Sequence, residues 1–267
     1  MTEEQVKLAY LLGALYGDGC FSKEGKVRFS STDREFIDEV SKIVKELFKI
    51  ELNIRINRLS LKNPKWRDSF ELSSRRLYKL LSKFNPENID VIPNFIESGD
   101  IKTKASFIRG YFDAEGGVYL TTIKRKDRLY NQITRHIKCF SNNTRMLEKI
   151  KDLLNQLQIK SSIFKGKKDN FYVGLWNYQS IKRFNELIGF IIKRKQLALV
   201  STLDSYKVIQ NRWDIKTYQT VMSLRNKEKI GAKRIKYKLL SNGINIPQPT
   251  IEAWIYNRYK ITQNKEV

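Results

Sequence analysis

The sequence predicts an α+β fold: two tandem αββαββα repeats followed by a small helical C-terminal region. Three observations carry this. Two apolar nine-residue stretches of one design, Leu11 to Gly19 and Ile108 to Gly116, stand 97 residues apart, counted from Asp18 to Glu115 (115 − 18). After each, the hydrophobic pattern passes through the same order of alternating and helix-period segments. After Tyr206 the order stops repeating and a basic, helix-patterned tail begins. A repeat this long means duplication of a domain rather than a solenoid. The expected boundaries are 1–98, 99–206 and 207–267, with 85–102 (Pro86, Pro93, Gly99) as a linker.

The first stretch ends a helix. Gly13 and Gly17 lie four apart and share a helical face, and a small-residue face lets two helix backbones approach closely. The stretch closes in Asp18-Gly19, where glycine suits a left-handed helix terminator. Phe21 to Ser31 reads as a hairpin around Lys23-Glu24-Gly25-Lys26, its second strand alternating Lys26, Arg28, Ser30 with Val27, Phe29. Asp33 is placed to N-cap a helix from Arg34 to Phe48, with Phe36, Ile37, Val40, Val44 and Leu47 as its stripe. Leu52, Ile54 and Ile56 alternate with Asn53, Arg55 and Asn57 in a third strand. Trp66 to Ser73 gives a fourth, and Arg75 to Phe84 a closing helix.

The second copy follows the same plan. Its helix carries Gly110 and Ala114 four apart and ends in Glu115-Gly116. Strands are expected at 117–123 and 131–140, a helix opening at Thr144, strands at 160–165 and 170–176, and helices near 178–189 and 194–206. The tail, 207–267, holds 13 Lys/Arg and 4 acids. Ile230 to Leu240 is a basic amphipathic helix, Ser241-Asn242-Gly243 a turn, and Gln248 to Tyr256 a second helix bearing Thr250, Ile251 and Trp254. The pair resembles a helix-turn-helix.

Composition narrows the function. Lys and Arg number 51 against 28 acids, a net charge of +23. That points to a polyanionic partner, nucleic acid first and an anionic membrane second. No stretch has the apolar length to span a bilayer. The acidic start, Met1-Thr2-Glu3-Glu4, does not read as a signal peptide. Cys20, Cys139 and the single histidine, His136, make neither a zinc site nor a disulfide framework. Together these imply an intracellular, cytoplasmic setting, the nucleoid or an organelle matrix included.

A carboxylate in the last turn of a helix faces the negative end of the dipole, unfavourable by about 0.3–1 kcal/mol. A divalent cation held by oxygen ligands would offset that twice over, at Asp18 and at Glu115. Both stretches resemble the motif of the LAGLIDADG homing endonucleases, in the single-chain, two-repeat form. The resemblance implies two motif helices packed at a pseudo-two-fold axis, two four-stranded sheets forming a saddle over DNA, and Mg²⁺ (or Mn²⁺) at the acid pair. It implies a metal set of Asp18 with Gly17 and Glu115 with Ala114. It also implies a basic residue near each site: Lys193 and Lys195 in the second repeat, Lys102 and Lys104 as looser counterparts in the first. The sequence departs from the pattern at Tyr16, where an Asp is usual and the second copy keeps Asp113. In the family that Asp is a helix-end structural residue rather than a ligand. A second departure lies at Ser31, Thr32, Asn142 and Asn143, where Gln or Lys is common.

The function implied is a monomeric, site-specific endonuclease making a staggered break in double-stranded DNA at a long asymmetric site. Strand ribbons fit the major groove, where Arg and Lys reach guanine and Asn reaches adenine. The candidates are Lys26, Arg28, Ser30, Asn53, Arg55, Asn57, Arg67, Thr134, His136 and Lys138 on the strands. Lys124, Arg125, Lys167 and Lys168 stand at hairpin tips, and Lys233, Lys236, Gln248 and Thr250 in the tail. The alternative is a non-catalytic binder on the same scaffold, an intron RNA maturase or a DNA-binding regulator. A membrane-surface or ribosomal basic protein would not need two acidic helix ends. Intein splicing is not expected, because Met1 is no splicing nucleophile and the chain ends without His-Asn.

Overall fold

The computed structural model describes residues 2–58, 67–84, 92–123, 132–166, 170–206 and 215–256. The chain divides into two compact units, one of Met1–Thr121 with Ile133–Lys207, and one of Thr122–Gln132 with Val208–Val267, which holds the C-terminal helices. No described helix is long and apolar enough to cross a membrane.

The first repeat runs α1 (Glu3–Asp18), β1 (Gly19–Ser22), β2 (Lys26–Ser31), α2 (Arg34–Phe48), β3 (Arg55–Asn57), β4 (Ser69–Ser74) and α3 (Arg75–Leu81). A 3₁₀ turn, Ser82–Phe84, and a short helix, α4 (Asn94–Glu97), follow. The second repeat runs α5 (Ile101–Glu115), β5 (Gly116–Ile123), β6 (Gln132–Ser141), α6 (Thr144–Gln156), β7 (Ser162–Lys165), β8 (Phe171–Leu175), α7 (Tyr178–Leu187) and α8 (Lys193–Ser205). The sheets have one topology, β1-β2-β4-β3 and β5-β6-β8-β7, with every resolved pairing antiparallel. Helices cover one face of each sheet. On that face Val27, Phe29 and Leu72 of the first sheet, and Ile137, Cys139, Val173 and Leu175 of the second, are fully buried in one continuous core.

Local chemistry starts and stops the elements. A capping box opens α1: Thr2 Oγ1 accepts from Gln5 N at 3.3 Å, and Gln5 Oε1 from Thr2 N at 3.0 Å. Asp100 caps α5 through Thr103 N at 2.8 Å, and Asn143 caps α6 through Met146 N at 3.1 Å. Gly25 turns the first hairpin at φ +69°, where a side chain would be strained.

Four expectations are corrected. Asp33 precedes α2 but makes no side-chain cap bond, because Arg194 takes its carboxylate. The third strand is only Arg55–Asn57, because Leu52 and Ile54 turn into the core. Gly19 and Gly116 are extended (φ −85° and −90°), not left-handed. They are glycines for room, since a Cβ would come within 2.5 Å of Leu15 O or 2.6 Å of Phe112 O. The expected linker holds α4 and the first residues of α5. Trp66 lies outside the described residues.

In the second unit, α9 (Ile215–Glu228), α10 (Ala232–Ser241) and α11 (Gln248–Ile255) share their own core. Trp254, Ile251, Ile246 and Ile235 are fully buried there, and Tyr218 meets the Trp254 ring edge-on at 5.5 Å. Helix α9 adds to the two tail helices expected from the sequence, and its Ile215, Tyr218 and Val221 keep helical spacing. Gly243 turns the chain at φ +77°.

Candidate active site and nucleic-acid faces

The site begins with two helices packed backbone to backbone. A Cβ on Gly13 would collide with Phe107 O and lie 3.0 Å from Tyr111 N. One on Gly110 would collide with Tyr10 O and lie 2.9 Å from Ala14 N. Gly13 and Gly110, Tyr10 and Phe107, and Ala14 and Tyr111 are equivalent residues of the two repeats. The contact is therefore reciprocal, the mark of a pseudo-two-fold axis between α1 and α5. One turn on, a Cβ on Gly17 would run into Ala114 Cβ and sit 3.4 Å from Glu115 Cγ. The two helix ends, Asp18 and Glu115, thus come together as the last residues of α1 and α5.

Electrostatics reflects that meeting. Burial pushes the Asp18 carboxyl up to about 6, with Asp33 adding to the rise and Lys195 opposing it. Burial, and then the Asp18 charge, push Glu115 up to about 7, again against Lys195. Lys195 is only 6 % exposed. Its Nζ donates to Asp113 O at 2.6 Å and Phe112 O at 3.3 Å, capping the carbonyl end of α5. Burial lowers its pKa, while Asp113 and Asp33 hold its proton on.

Asp113 is a clamp. Fully buried, it accepts from Tyr10 Oη at 3.1 Å and from Ile191 N at 3.2 Å, tying α5 to α1 and to the segment entering α8. Burial nonetheless raises it to about 6. At the equivalent position Tyr16 donates Oη to Phe84 O at 3.1 Å. The first repeat thus secures the same helix end with a donor where the second uses an acceptor.

The other sequence candidates fall in different places. Lys193 is exposed, and its backbone N–H donates to Glu35 Oε2 at 2.6 Å. Arg194, between the two lysines, donates Nε to Asp33 Oδ1 at 2.8 Å and Nη2 to Asp33 Oδ2 at 2.5 Å, linking the repeats. Lys104 stands in the first turn of α5, about 16 Å of helix from Glu115, and does not join the acid pair. A cleft of about 590 Å³ is lined by Asp18, Ser31, Asp33, Tyr119, Arg194 and Lys195, among others. Among the described residues no group of three or more His, Cys, Asp or Glu could hold a metal. The donors at hand are the two carboxylates of Asp18 and Glu115. That set suits a hard cation which completes its shell with water and phosphate; it does not suit zinc.

The outer face of the first sheet is polar. Arg28 lies beside Ser73, Ser30 and Arg55 beside Glu71, and Asn57 beside Ser69. Arg28 and Lys26 carry acidic neighbours, Glu71 at 3.4 Å and Glu24 at 2.6 Å. Asn53 and Arg67 are exposed but lie outside the strands. The outer face of the second sheet is part aromatic. Thr134, His136 and Lys138 are on it, but so are Tyr119, Phe140, Phe164, Tyr172 and Trp176. They share the parity of the polar candidates (134, 136, 138, 140; 172, 174, 176), which is the signal that could have found them. Burial, and then Lys138, lower the pKa of His136. Lys124, Arg125, Lys167 and Lys168 lie outside the described residues.

In the tail, Lys233 is exposed and Lys236 half-buried on α10, while Gln248 Nε2 donates to Glu252 Oε1 at 2.8 Å and Thr250 is half-buried on α11. The basic face belongs to α10. Residues 248–256 contain no Lys or Arg, so the second helix of the pair is not the basic one.

A family model for the LAGLIDADG-like domain matches residues 5–85 and again 102–189. An uncharacterized protein of Methanocaldococcus jannaschii, MJ0398, is 29% identical over 220 residues, covering 74% of this chain and 72% of that protein. Full-length WhiA from Thermotoga maritima has a similar structure, with TM-score 0.51 and 14% identity over 98% of this chain and 95% of that one. The homing endonuclease I-DmoI, solved with DNA and Ca, aligns at TM-score 0.49 and 19% identity, over 75% of this chain and 100% of its own. With a domain model matched twice, at the spacing of the two acid-tipped helices, this chain belongs to the LAGLIDADG-like domain family.

Proposed function

We propose that the protein is a metal-dependent endonuclease of double-stranded DNA, acting as a monomer on a long, asymmetric site. The observation that supports this best is the convergence of Asp18 and Glu115 where helices α1 and α5 end together. Burying two like charges at two negative dipole ends is costly for folding, and nothing in the packing requires it. Asp18 and Glu115, with the carbonyls of Gly17 and Ala114, would hold Mg²⁺ or Mn²⁺. Such an ion supplies a nucleophilic water at neutral pH and stabilises charge on the phosphate oxygens.

The chain's own groups do the rest. Gly13, Gly17 and Gly110 hold the two carboxylates together. Lys195 keeps positive charge beside them, biasing both toward the ionised form that a cation needs. Asp113 and Tyr16 fix the ends of the helices that carry them. Arg28, Arg55 and Asn57 on the first sheet offer donors to base edges and phosphates.

The test is cleavage of a cognate duplex by Asp18→Asn and Glu115→Gln. Each is expected to lose cutting, by about 10³-fold or more, while duplex affinity stays within about 2-fold. Full activity in both variants would sink the two-carboxylate mechanism. One observation favours a second reading, a non-catalytic DNA binder. Asn143, at a turn where the family often has Gln or Lys, spends its side chain on capping α6. Salt-sensitive binding with no metal-dependent cutting by the unaltered protein would select that reading.

A further inference from the structure

One aromatic ring stands on each strand of the second sheet's outer face, and the four follow the sheet order. Tyr119 on β5 meets Phe140 on β6 at 6.2 Å between ring centroids. Phe140 meets Tyr172 on β8 at 5.2 Å, and Tyr172 stacks on Phe164 of β7 at 5.4 Å with the planes 25° apart. Trp176, just past β8, extends the row at 4.9 Å. None of the five belongs to the core. Tyr119, Phe164 and Trp176 are 39, 39 and 40% exposed.

The scaffold does not demand these rings. By ladder register, Phe140, Tyr172 and Phe164 occupy the places held in the first sheet by Ser30, Glu71 and Arg55. Charge accompanies the row. Lys138 Nζ lies 5.4 Å from the Tyr119 centroid and 4.8 Å from that of Tyr172. Both ends open into clefts. Tyr119 lines the carboxylate cleft. Trp176 lines another, of about 520 Å³, with Lys160, Lys182 and Arg183, and Glu186 as the one acid.

Paired bases present edges to a protein, whereas flat rings bind faces. Bases with free faces are unpaired. The polymer is taken from the proposed function, which makes it DNA. We propose that the outer face of the second sheet takes a single strand of DNA, its unpaired bases on the ring row and its phosphates running from the carboxylate cleft to the basic cleft. The inference rests on the proposed function only for the polymer being DNA. It specifies a substrate with paired bases for the first sheet and an unpaired stretch for the second.

The experiment uses the full chain with chelator present, so that nothing is cut. Labelled oligonucleotides of about 12 nucleotides, roughly one single-strand site, are titrated as single-stranded DNA, the matching RNA and the matching duplex. Variants are Phe164→Leu, Tyr172→Leu and Trp176→Leu, with thermal melts to verify folding. Each is expected to weaken single-stranded DNA binding about 10-fold and to leave duplex binding within about 2-fold. The Asp18→Asn/Glu115→Gln double variant should bind the single strand like the unaltered protein, which separates this result from the fate of the cleavage reading. Any of four results would overturn the proposal. One is unchanged single-strand affinity in folded ring variants, and another is equal loss on single strand and duplex. The third is a preference of about 10-fold or more for RNA, and the fourth is dimers of the unaltered chain that the ring variants abolish.

Discussion

Two carboxyls and a lysine decide what the acid pair can do. Asp18 and Glu115 sit above their ordinary values, near 6 and 7, chiefly through burial. A carboxyl raised on folding binds its proton more tightly in the native state than in the unfolded chain. Its contribution is therefore full below about pH 4 and is lost as pH rises through 6 to 7. The metal-free protein should melt at a higher temperature at pH 5 than at pH 8. Glu115→Gln should flatten that dependence and raise the pH 8 melting temperature by about 2–4 °C. Melts in chelator across this range check the sign, and a profile that rises toward pH 8 would refute it. Lys195→Met keeps the bulk of the side chain but removes the positive end. It should raise both carboxyls further and weaken divalent-ion binding by about 10-fold, read by isothermal titration with Mn²⁺.

Among the elements, α1 and α5 set the geometry. Gly13→Ala pushes a methyl into Phe107 O, a backbone atom that can retreat only if the helices part. We expect a loss of about 3 kcal/mol or more, with metal affinity falling alongside, in denaturant and ion titrations. Gly25→Ala, where nothing lies within 4 Å but φ is +69°, should cost only about 1 kcal/mol. The small-residue spacing that predicts this crossing was legible because a close approach leaves few residue choices. Strand and helix order was legible for the same reason: alternation and 3.6-residue periods record which side faces the core. What could not be read were choices made across the repeats. Asp33 looks like a cap until Arg194, 161 positions away, is found holding it. The second sheet's rings were legible only through their parity with Thr134, His136 and Lys138, because strand aromatics ordinarily face a core. That Tyr16 can replace an Asp becomes intelligible once its bond to Phe84 O is seen.

For the whole molecule, the net charge of +23 predicts duplex affinity that falls about 10³-fold between 50 and 200 mM salt, measured by anisotropy; a flat response would exclude broad phosphate contact. Removing residues 207–267 should leave a cooperatively folding core, since α9 to α11 bury Val221, Ile235, Ile251 and Trp254 among themselves. The truncated chain should still cut and should bind its site more weakly. Footprints identical with and without the tail would mean that α10's cations touch no DNA. The two halves are built to one plan yet faced differently, Ser30, Glu71 and Arg55 on one sheet against Phe140, Tyr172 and Phe164 on the other. A body with matching halves could sit on a palindrome either way round. This one has two unlike faces, so under the proposed function a duplex would run past the acid pair in a single orientation.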